Sequence, residues 1–272
     1  MTETLRAFAL RILESADLGE KLRPAGQLVD TEPGSAFRPL LPARPAHLEF
    51  CGQRESPPIP HQNTLADPAR RAAAHHIMAN HELQALEVMA FVLVAFPEAP
   101  SEFRMGLARI MADEQRHTKM HLARLDELGL EFGAMLVNGY FWRKAQTFET
   151  LLQYLAGLPL TFEGCNLDHT LDFEGWFLEA GDEKSAAVMR AIHRDEIHHV
   201  AFGWEWLRKL KPPEQSDWEA YQSNLKWPLQ PVKSRGKQFY REPRLAAGLS
   251  ADFVDKIEHA EVQPKPDGIG PS

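Results

Sequence analysis

Two stretches of the sequence place a glutamate three residues before a histidine. They read DEQRH at residues 113–117 and DEIHH at residues 195–199. On an α-helix this spacing puts the carboxylate and the imidazole on one face. Carboxylate oxygens can bridge two cations, and imidazole nitrogen suits iron and manganese. The two motifs therefore predict half of a site for two metal ions, which one glutamate from each of two further helices would complete.

The turns between helices indicate which glutamates are missing. Residues at equal height in a helical hairpin lie at equal distances from its turn. Glu82 and Glu114 are 32 residues apart, and their midpoint falls in a turn that contains two prolines. Glu163 and Glu196 are 33 residues apart, and their midpoint falls beside Gly181. The two hairpins thus repeat one arrangement, which favours Glu82 and Glu163 as the partners of the two motifs.

A rival pair of acids fits the same turns. Glu87 and Asp168 each lie five residues after the favoured glutamates, and their distances to the turns also match. The helix face favours Glu82, because its neighbours are apolar and a carboxylate among them needs a cation or a partner. Glu163 is favoured mainly by its match to Glu82. The predicted metal ligands are Glu82, Glu114, His117, Glu163, Glu196 and His199, with Glu87 and Asp168 kept as alternatives to Glu82 and Glu163.

Two aspartates precede the motifs on the same helix faces. Asp113 and Asp195 lie four residues before His117 and His199. We predict that each accepts the outer N–H of a histidine ligand on a facing helix, which would fix its tautomer and raise its basicity. The alternative is that both are solvated helix aspartates. His121 shares this face too, but it is more simply an ordinary helix histidine than part of the cavity.

Four long stretches have the apolar spacing of helices and almost no internal proline or glycine. Short turns join the first to the second and the third to the fourth, and a long crossover with its own helix near residues 146–156 joins the two hairpins. This connectivity predicts an all-α fold, a four-helix bundle of two antiparallel hairpins. The predicted long helices cover residues 70–96, 101–128, 159–180 and 183–210.

The ends of the chain differ in character from the predicted bundle. Nine of the twenty prolines lie between Pro24 and Pro68, which excludes a helix there. We therefore predict three regions. Residues 1–68 form an N-terminal helix and a proline-rich arm packed on the bundle, residues 69–211 form the bundle, and residues 212–272 form a C-terminal extension with a short helix near its end.

Composition and charge exclude several classes of protein. The formal net charge of −8 argues against a protein coated in nucleic acid. The two cysteines are far apart, which excludes a disulfide framework and a cysteine-rich metal site. No signal peptide pattern opens the sequence, and the longest apolar run is too short to span a bilayer. We expect a cytoplasmic protein without a membrane segment.

The two motifs with Glu82 and Glu163 resemble the ligand pattern of the ferritin-like di-iron carboxylate superfamily. The phrases HELQALE at 81–87, NGYFW at 138–142 and VAFG at 200–203 are similar to an uncharacterised bacterial domain-of-unknown-function branch. The resemblance covers nearly the whole chain. It implies two Fe ions, with Mn or mixed Mn/Fe as alternatives, and dioxygen chemistry. Relatives include ferroxidases, rubrerythrins, desaturases and a tRNA hydroxylase.

Three functions follow from this resemblance, in order of preference. The first is an oxidoreductase that uses dioxygen to oxidise or hydroxylate an unidentified small-molecule substrate, with an unidentified electron donor. The second is a ferroxidase or metal-binding protein without an organic substrate. The third is a tRNA-modifying hydroxylase, because residues 226–244 carry six basic residues, one acid and several aromatic residues. Charge balance with an acidic protein is the preferred explanation of that segment. The sequence does not fix the oligomeric state.

Overall fold

The structure is a computed structural model that describes residues 2–52 and 55–265. It is predominantly helical with little strand, which confirms the predicted all-α class. Two short strands, β1 (Thr2–Thr4) and β2 (Gln27–Val29), pair in parallel. The α-helices are α1 (Leu5–Glu14), α2 (Leu18–Lys21), α3 (Pro68–Ala95), α4 (Ser101–Leu128), α5 (Tyr140–Ala145), α6 (Leu151–Gly157), α7 (Gly164–Glu179), α8 (Glu183–Leu210), α9 (Asp217–Ser223), α10 (Arg241–Ala246) and α11 (Ala251–Glu258).

The long helices begin and end at the residues that the sequence marks. Helix α3 begins at Pro68, where the side chain of Asp67 accepts a hydrogen bond from the first turn. Helix α4 covers the predicted residues and ends at Gly129, whose φ of 74° is left-handed. Helix α8 also has the predicted bounds, and Asp182 caps it by accepting a 3.0 Å hydrogen bond from the amide of Ser185.

The third long helix differs from the prediction at its start. Helix α6 runs directly into a π-helical turn, Leu158–Glu163, and then into α7. The predicted break before residue 159 is therefore wrong. Pro159 lacks an N–H, and the wider turn accommodates it. The hydroxyl of Thr161 donates a 2.7 Å hydrogen bond to the carbonyl of Ala156, five residues back.

The chain forms two compact units. One comprises Met1–Gln146 with Glu174–Val188, and the other comprises Thr147–Phe173 with Met189–Ser272. Helices α7 and α8 therefore contribute residues to both units. The boundaries that the sequence suggested, after residues 68 and 211, remain predictions.

In the first unit, α3 and α4 pack along their length as a helical hairpin, and α1 packs on α3. The proline-rich segment is held by backbone contacts: the amide of Phe37 donates to the carbonyl of Val94 (2.8 Å), and the Trp142 indole donates to the carbonyl of Leu40 (2.9 Å). The side chain of Leu40 itself is 85% exposed. The segment therefore contacts the helices mainly through its backbone and a few buried side chains.

Helix α3 is the most apolar element of the first unit. Within the described residues it is the one helix whose length and composition would allow it to cross a membrane, and 94% of its most apolar window is buried inside the protein. Burial of this kind is typical of the core helix of a soluble protein. Two acidic residues, Glu82 and Glu87, lie in this apolar helix and are buried.

Two helix glycines give opposite predictions for stability. A Cβ added at Gly203 in α8 would lie 2.4 Å from Cβ of Pro159, whose ring cannot move aside. A Cβ added at Gly175 in α7 would meet no atom within 4 Å. We expect Gly203→Ala to lower the free energy of unfolding by about 1–3 kcal/mol. We expect Gly175→Ala to raise it by about 0.5–1 kcal/mol. Urea unfolding measures both, and shifts of equal sign would contradict the packing around Gly203.

Candidate metal centre

The first ligand set, Glu82, Glu114 and His117, lies on α3 and α4. The exposed fractions of these residues are 7%, 1% and 0%. The Nδ1 atom of His117 lies 3.5 Å from Oε2 of Glu82 and 3.6 Å from Oε2 of Glu114. One ligand atom from each of the three residues lies within 4.8 Å of the others. The α3–α4 hairpin therefore brings together the three residues that the sequence analysis assigned to it.

These separations are informative because they do not fit direct hydrogen bonds. A nitrogen and an oxygen that share a proton lie about 2.7–3.2 Å apart. Two ligand atoms that are each about 2.1 Å from one metal ion lie about 3–4 Å apart. The N–O distances within the first ligand set have the second value. The three buried side chains could hold a metal ion.

Glu82 carries its charge without a basic side chain beside it. Its ion-pair partners in the described part of the chain are His117 and His121, and neither a lysine nor an arginine reaches it. Burial alone would raise the pKa of Glu82, but interactions with neighbouring side chains, that with His117 first, outweigh burial and hold the pKa well below its usual value. The carboxylate is therefore ionised inside an apolar helix.

The second ligand set, Glu163, Glu196 and His199, has the same composition. The exposed fractions are 3%, 1% and 0%. Nδ1 of His199 lies 3.9 Å from Oε2 of Glu196, and a ligand atom of Glu163 lies within 4.8 Å of one on His199. Asn166 donates a 3.3 Å hydrogen bond to Oε1 of Glu196. Glu163 and His199 belong to a buried group of Glu and His side chains that could hold a metal ion.

The π-helical turn determines where Glu163 lies on its helix. The turn ends at Glu163, and the hydroxyl of Thr161 within it lies 2.9 Å from the hydroxyl of Tyr221. One extra residue in a helical turn rotates the residues that follow around the helix axis, and such turns are frequent at functional sites. No pattern of residues predicted this turn.

Glu87, the first rival ligand, is fully occupied by basic side chains. Its Oε1 accepts a 2.9 Å hydrogen bond from Nζ of Lys21, and its Oε2 accepts one of 2.6 Å from Nη2 of Arg44. All three side chains are buried, and the guanidinium of Arg44 also lies 4.1 Å from the ring centre of Phe50. Glu87 is thus neutralised within the protein, which explains its burial without a metal ion.

Asp168, the second rival, is occupied in the same way. Its two carboxylate oxygens accept hydrogen bonds of 2.7 and 2.9 Å from Arg244. They also accept hydrogen bonds of 2.8 and 2.9 Å from the backbone amides of Gly236 and Tyr240. The Arg244 guanidinium lies 4.1 Å from the ring centre of Phe239. Each unit therefore has an acid five residues after its favoured glutamate that is paired with a buried arginine.

The arginines that make these pairs lie far along the chain from their acids and were not predicted. Arg44 precedes Glu87 by 43 positions, and Arg244 follows Asp168 by 76. No local spacing connects an acid to a partner so far along the chain. Arg44 lies in the proline-rich segment and Arg244 is one of six basic residues between positions 226 and 244, so neither stood out as the partner of a distant acid.

The predicted roles of Asp113 and Asp195 remain predictions. Asp113 is partly exposed and forms an ion pair of 2.8 Å with Arg116 on its own helix. Asp195 is also partly exposed. An aspartate that orients a ligand histidine is usually buried beside it, so the observed exposure of Asp113 fits the solvated alternative better.

Two further histidines lie in the first unit near Glu82. His75 and His121 are both fully buried, and their Nδ1 atoms lie 2.8 Å apart. Burial, with the positive charges of nearby groups, lowers the pKa of His75 well below its usual value. His75 is therefore a neutral imidazole at neutral pH. His121 lies beside Glu82, with Nε2 3.8 Å from Oε1, rather than being an ordinary helix histidine.

Half of the basic residues in the segment near the C-terminus are paired with acids. Arg241 forms ion pairs with Asp255 and Glu258 on α11, and Lys226 forms one of 2.9 Å with Glu149. Arg244 is buried on Asp168. Three of the six basic residues that suggested a nucleic-acid surface are therefore neutralised within the second unit.

Comparisons with known proteins identify the family of the chain. A family model described as a protein of unknown function, DUF455, matches residues 9–255. A search of curated proteins and a search of solved structures each gave no match. The predicted resemblance to a family of unknown function is confirmed, whereas these comparisons do not test the ferritin-like relationship. Because the match covers most of its length, the chain is a member of the DUF455 family.

Proposed function

We propose that the two ligand sets together hold two iron ions in a ferritin-like four-helix bundle. The protein would be an oxidoreductase that uses dioxygen to oxidise or hydroxylate a small-molecule substrate. The ligands in this proposal are Glu82, Glu114, His117, Glu163, Glu196 and His199.

The contrast between two glutamates on α3 carries the proposal. Glu87 and Glu82 are both buried and lie five residues apart on one helix. Glu87 is neutralised by Lys21 and Arg44, whereas Glu82 has only imidazoles as ion-pair partners in the described residues. Burying a carboxylate without compensating charge costs several kcal/mol or more. Glu82 has no lysine or arginine beside it in the described residues, and a bound cation would supply a positive charge there.

The equal composition of the two ligand sets supports two ions rather than one. Each set has two carboxylates and one imidazole, and the four carboxylates together balance the charge of two divalent cations. Carboxylate oxygen with imidazole nitrogen suits iron and manganese, and the absence of cysteine from both sets argues against a zinc–thiolate or copper site. Iron is the first choice because of the resemblance to di-iron proteins.

The chain's own residues would fix the geometry and exclude solvent. Iron supplies the redox chemistry with dioxygen when it is bound. The carboxylates would hold the ions, and the buried imidazoles would complete each set. Six protein side chains shared between two ions would leave room for dioxygen and substrate. The apolar face of α3 around Glu82 would keep water from the site.

Metal analysis of the purified protein tests the proposal. We expect protein made without chelators in medium with iron and manganese to retain two metal ions per chain, mostly iron. Oxygen uptake that depends on an added organic substrate would support the oxidoreductase. Oxygen uptake on iron addition alone would favour a ferroxidase. Metal at trace levels after iron loading would contradict the proposed centre.

A further inference from the structure

A chain of buried polar side chains leads away from Glu82 in the first unit. Nε2 of His121 lies 3.8 Å from Oε1 of Glu82, and Nδ1 of His121 lies 2.8 Å from Nδ1 of His75. Nε2 of His75 lies 2.8 Å from the hydroxyl oxygen of Ser185. That hydroxyl lies 2.9 Å from Oδ2 of Asp182. His75, His121 and Ser185 are fully buried, so each proton in this line of hydrogen-bonded side chains must have a definite position.

The direction of these hydrogen bonds is fixed from the outer end. Asp182 accepts hydrogen bonds from Arg71 at 2.9 Å and from Arg124 at 3.0 and 3.1 Å, which keep it ionised. An ionised carboxylate can only accept, so the hydroxyl of Ser185 must donate to Asp182. The Ser185 oxygen also accepts from Nε of Arg124 at 3.2 Å. Its remaining lone pair is left to accept from His75.

The proton positions on the two imidazoles follow from these assigned donors and acceptors. His75 must donate to Ser185 through Nε2–H, and a neutral imidazole has a single N–H. Nδ1 of His75 is therefore an acceptor, and the proton between the two rings belongs to Nδ1 of His121. In the neutral form of His121, Nε2 then carries a lone pair and faces an oxygen of Glu82, which is also an acceptor. Among the described residues no hydrogen-bond partner reaches this nitrogen.

We infer that His121 is a further protein ligand, which binds through Nε2 the same metal ion as Glu82, and that His75 is the positioning residue behind it. This inference rests on the proposed function. Two buried acceptors 3.8 Å apart repel each other unless a cation lies between them. The separation agrees with two ligand atoms about 2.1–2.2 Å from one ion, which lie about 3–4 Å apart.

The outer contacts of His121 also agree with a ligand role. A histidine ligand almost always donates its second ring N–H to an outer partner, which fixes its tautomer. Here His75 accepts that N–H, and His75 is itself held by Ser185 and by stacking on Phe177, whose ring centre lies 5.1 Å away. An ordinary packing histidine would not need such a line of partners ending on an ionised Asp182.

Cobalt(II) titration of the metal-free protein tests the inference, because the visible spectrum of cobalt reports its nitrogen ligands. Loss of an outer partner of a metal ligand weakens metal binding by about 10–100-fold. His121→Ala removes a ligand itself, so we expect it to weaken binding of one of the two ions by at least as much and to change the cobalt spectrum. His121→Gly with added imidazole should restore the wild-type spectrum. His75→Phe should weaken binding of the same ion by about 10–100-fold.

The control is His76→Ala. His76 is a buried neighbour on α3, and its Nε2 accepts a 2.8 Å hydrogen bond from the amide of Gly133. Its loss should leave the metal affinity and the cobalt spectrum unchanged.

The outcomes separate this inference from the proposed function. Wild-type protein that binds no cobalt or iron would overturn both. Wild-type protein that binds two ions, with a His121→Ala variant of unchanged affinity and spectrum, would overturn only the role of His121. If the variants do not fold, X-ray absorption of the iron-loaded wild-type protein decides. Three imidazoles per two ions support the inference, and two contradict it.

Discussion

Replacing Glu82 with glutamine is expected to remove metal and leave the fold intact, whereas Glu87→Gln is expected to do the reverse. Glu82→Gln removes a proposed ligand and should weaken the binding of at least one metal ion by more than about 100-fold. Loss of an outer partner alone weakens metal binding by about 10–100-fold. The metal-free variant should still fold, because glutamine has nearly the same shape as glutamate and no buried lysine or arginine loses its anion.

Glu87→Gln is the matched control on the same helix. It leaves Lys21 and Arg44 buried without their anion and should cost about 3–5 kcal/mol of unfolding free energy. Burial already lowers the pKa of Lys21, so its charge depends on Glu87. Metal content after gel filtration and urea unfolding of the metal-free proteins measure the two effects. Metal loss in Glu87→Gln with retention in Glu82→Gln would mean that the rival register holds the metal.

Replacing Arg244 with methionine is expected to destabilise the protein by about 3–5 kcal/mol, because it leaves Asp168 buried without its cation. Asp168 and Arg244 are 0% and 1% exposed, so water cannot replace the lost partner. The backbone carbonyls of Gly164 and Ser234, which accept from Arg244 at 3.0 and 2.8 Å, would lose their donor as well.

An exposed pair in the same unit provides the comparison. Lys256 and Asp252 on α11 lie 2.7 Å apart, but their side chains are 42% and 73% exposed. Lys256→Ala should therefore change the unfolding free energy by at most about 0.5 kcal/mol. Urea unfolding of both variants gives the result. Equal effects of the two substitutions would show that the buried pair contributes no more to the unfolding free energy than the exposed pair.

The sequence was sufficient for the long helices because their ends are marked by local chemistry. Pro68 and Asp67 start α3, and left-handed glycines at 129 and 181 follow α4 and α7. The start of α7 was not predictable in the same way, since Pro159 imitates a helix start. Whether that position continues a helix depends on a π-helical turn and on the hydroxyl of Thr161.

The six candidate ligands could be selected from spacing because helix geometry relates residues a few positions apart. The structure places all six side chains in the interior. The partners of Glu87 and Asp168 could not be predicted, because Arg44 and Arg244 lie in segments that show no helical or strand periodicity. The proposed role of His121 was equally hidden, because it depends on Asp182, sixty-one residues further along the chain.

The two arginine pairs also have a practical consequence for fragments of the chain. A fragment limited to residues 69–211 would keep every proposed ligand and both acids, Glu87 and Asp168. It would lack Lys21, Arg44 and Arg244, so both acids would be left as isolated anions in the interior. The smallest piece able to fold by itself is therefore longer than the helices that carry the ligands. Truncation experiments should keep both terminal segments through Arg244.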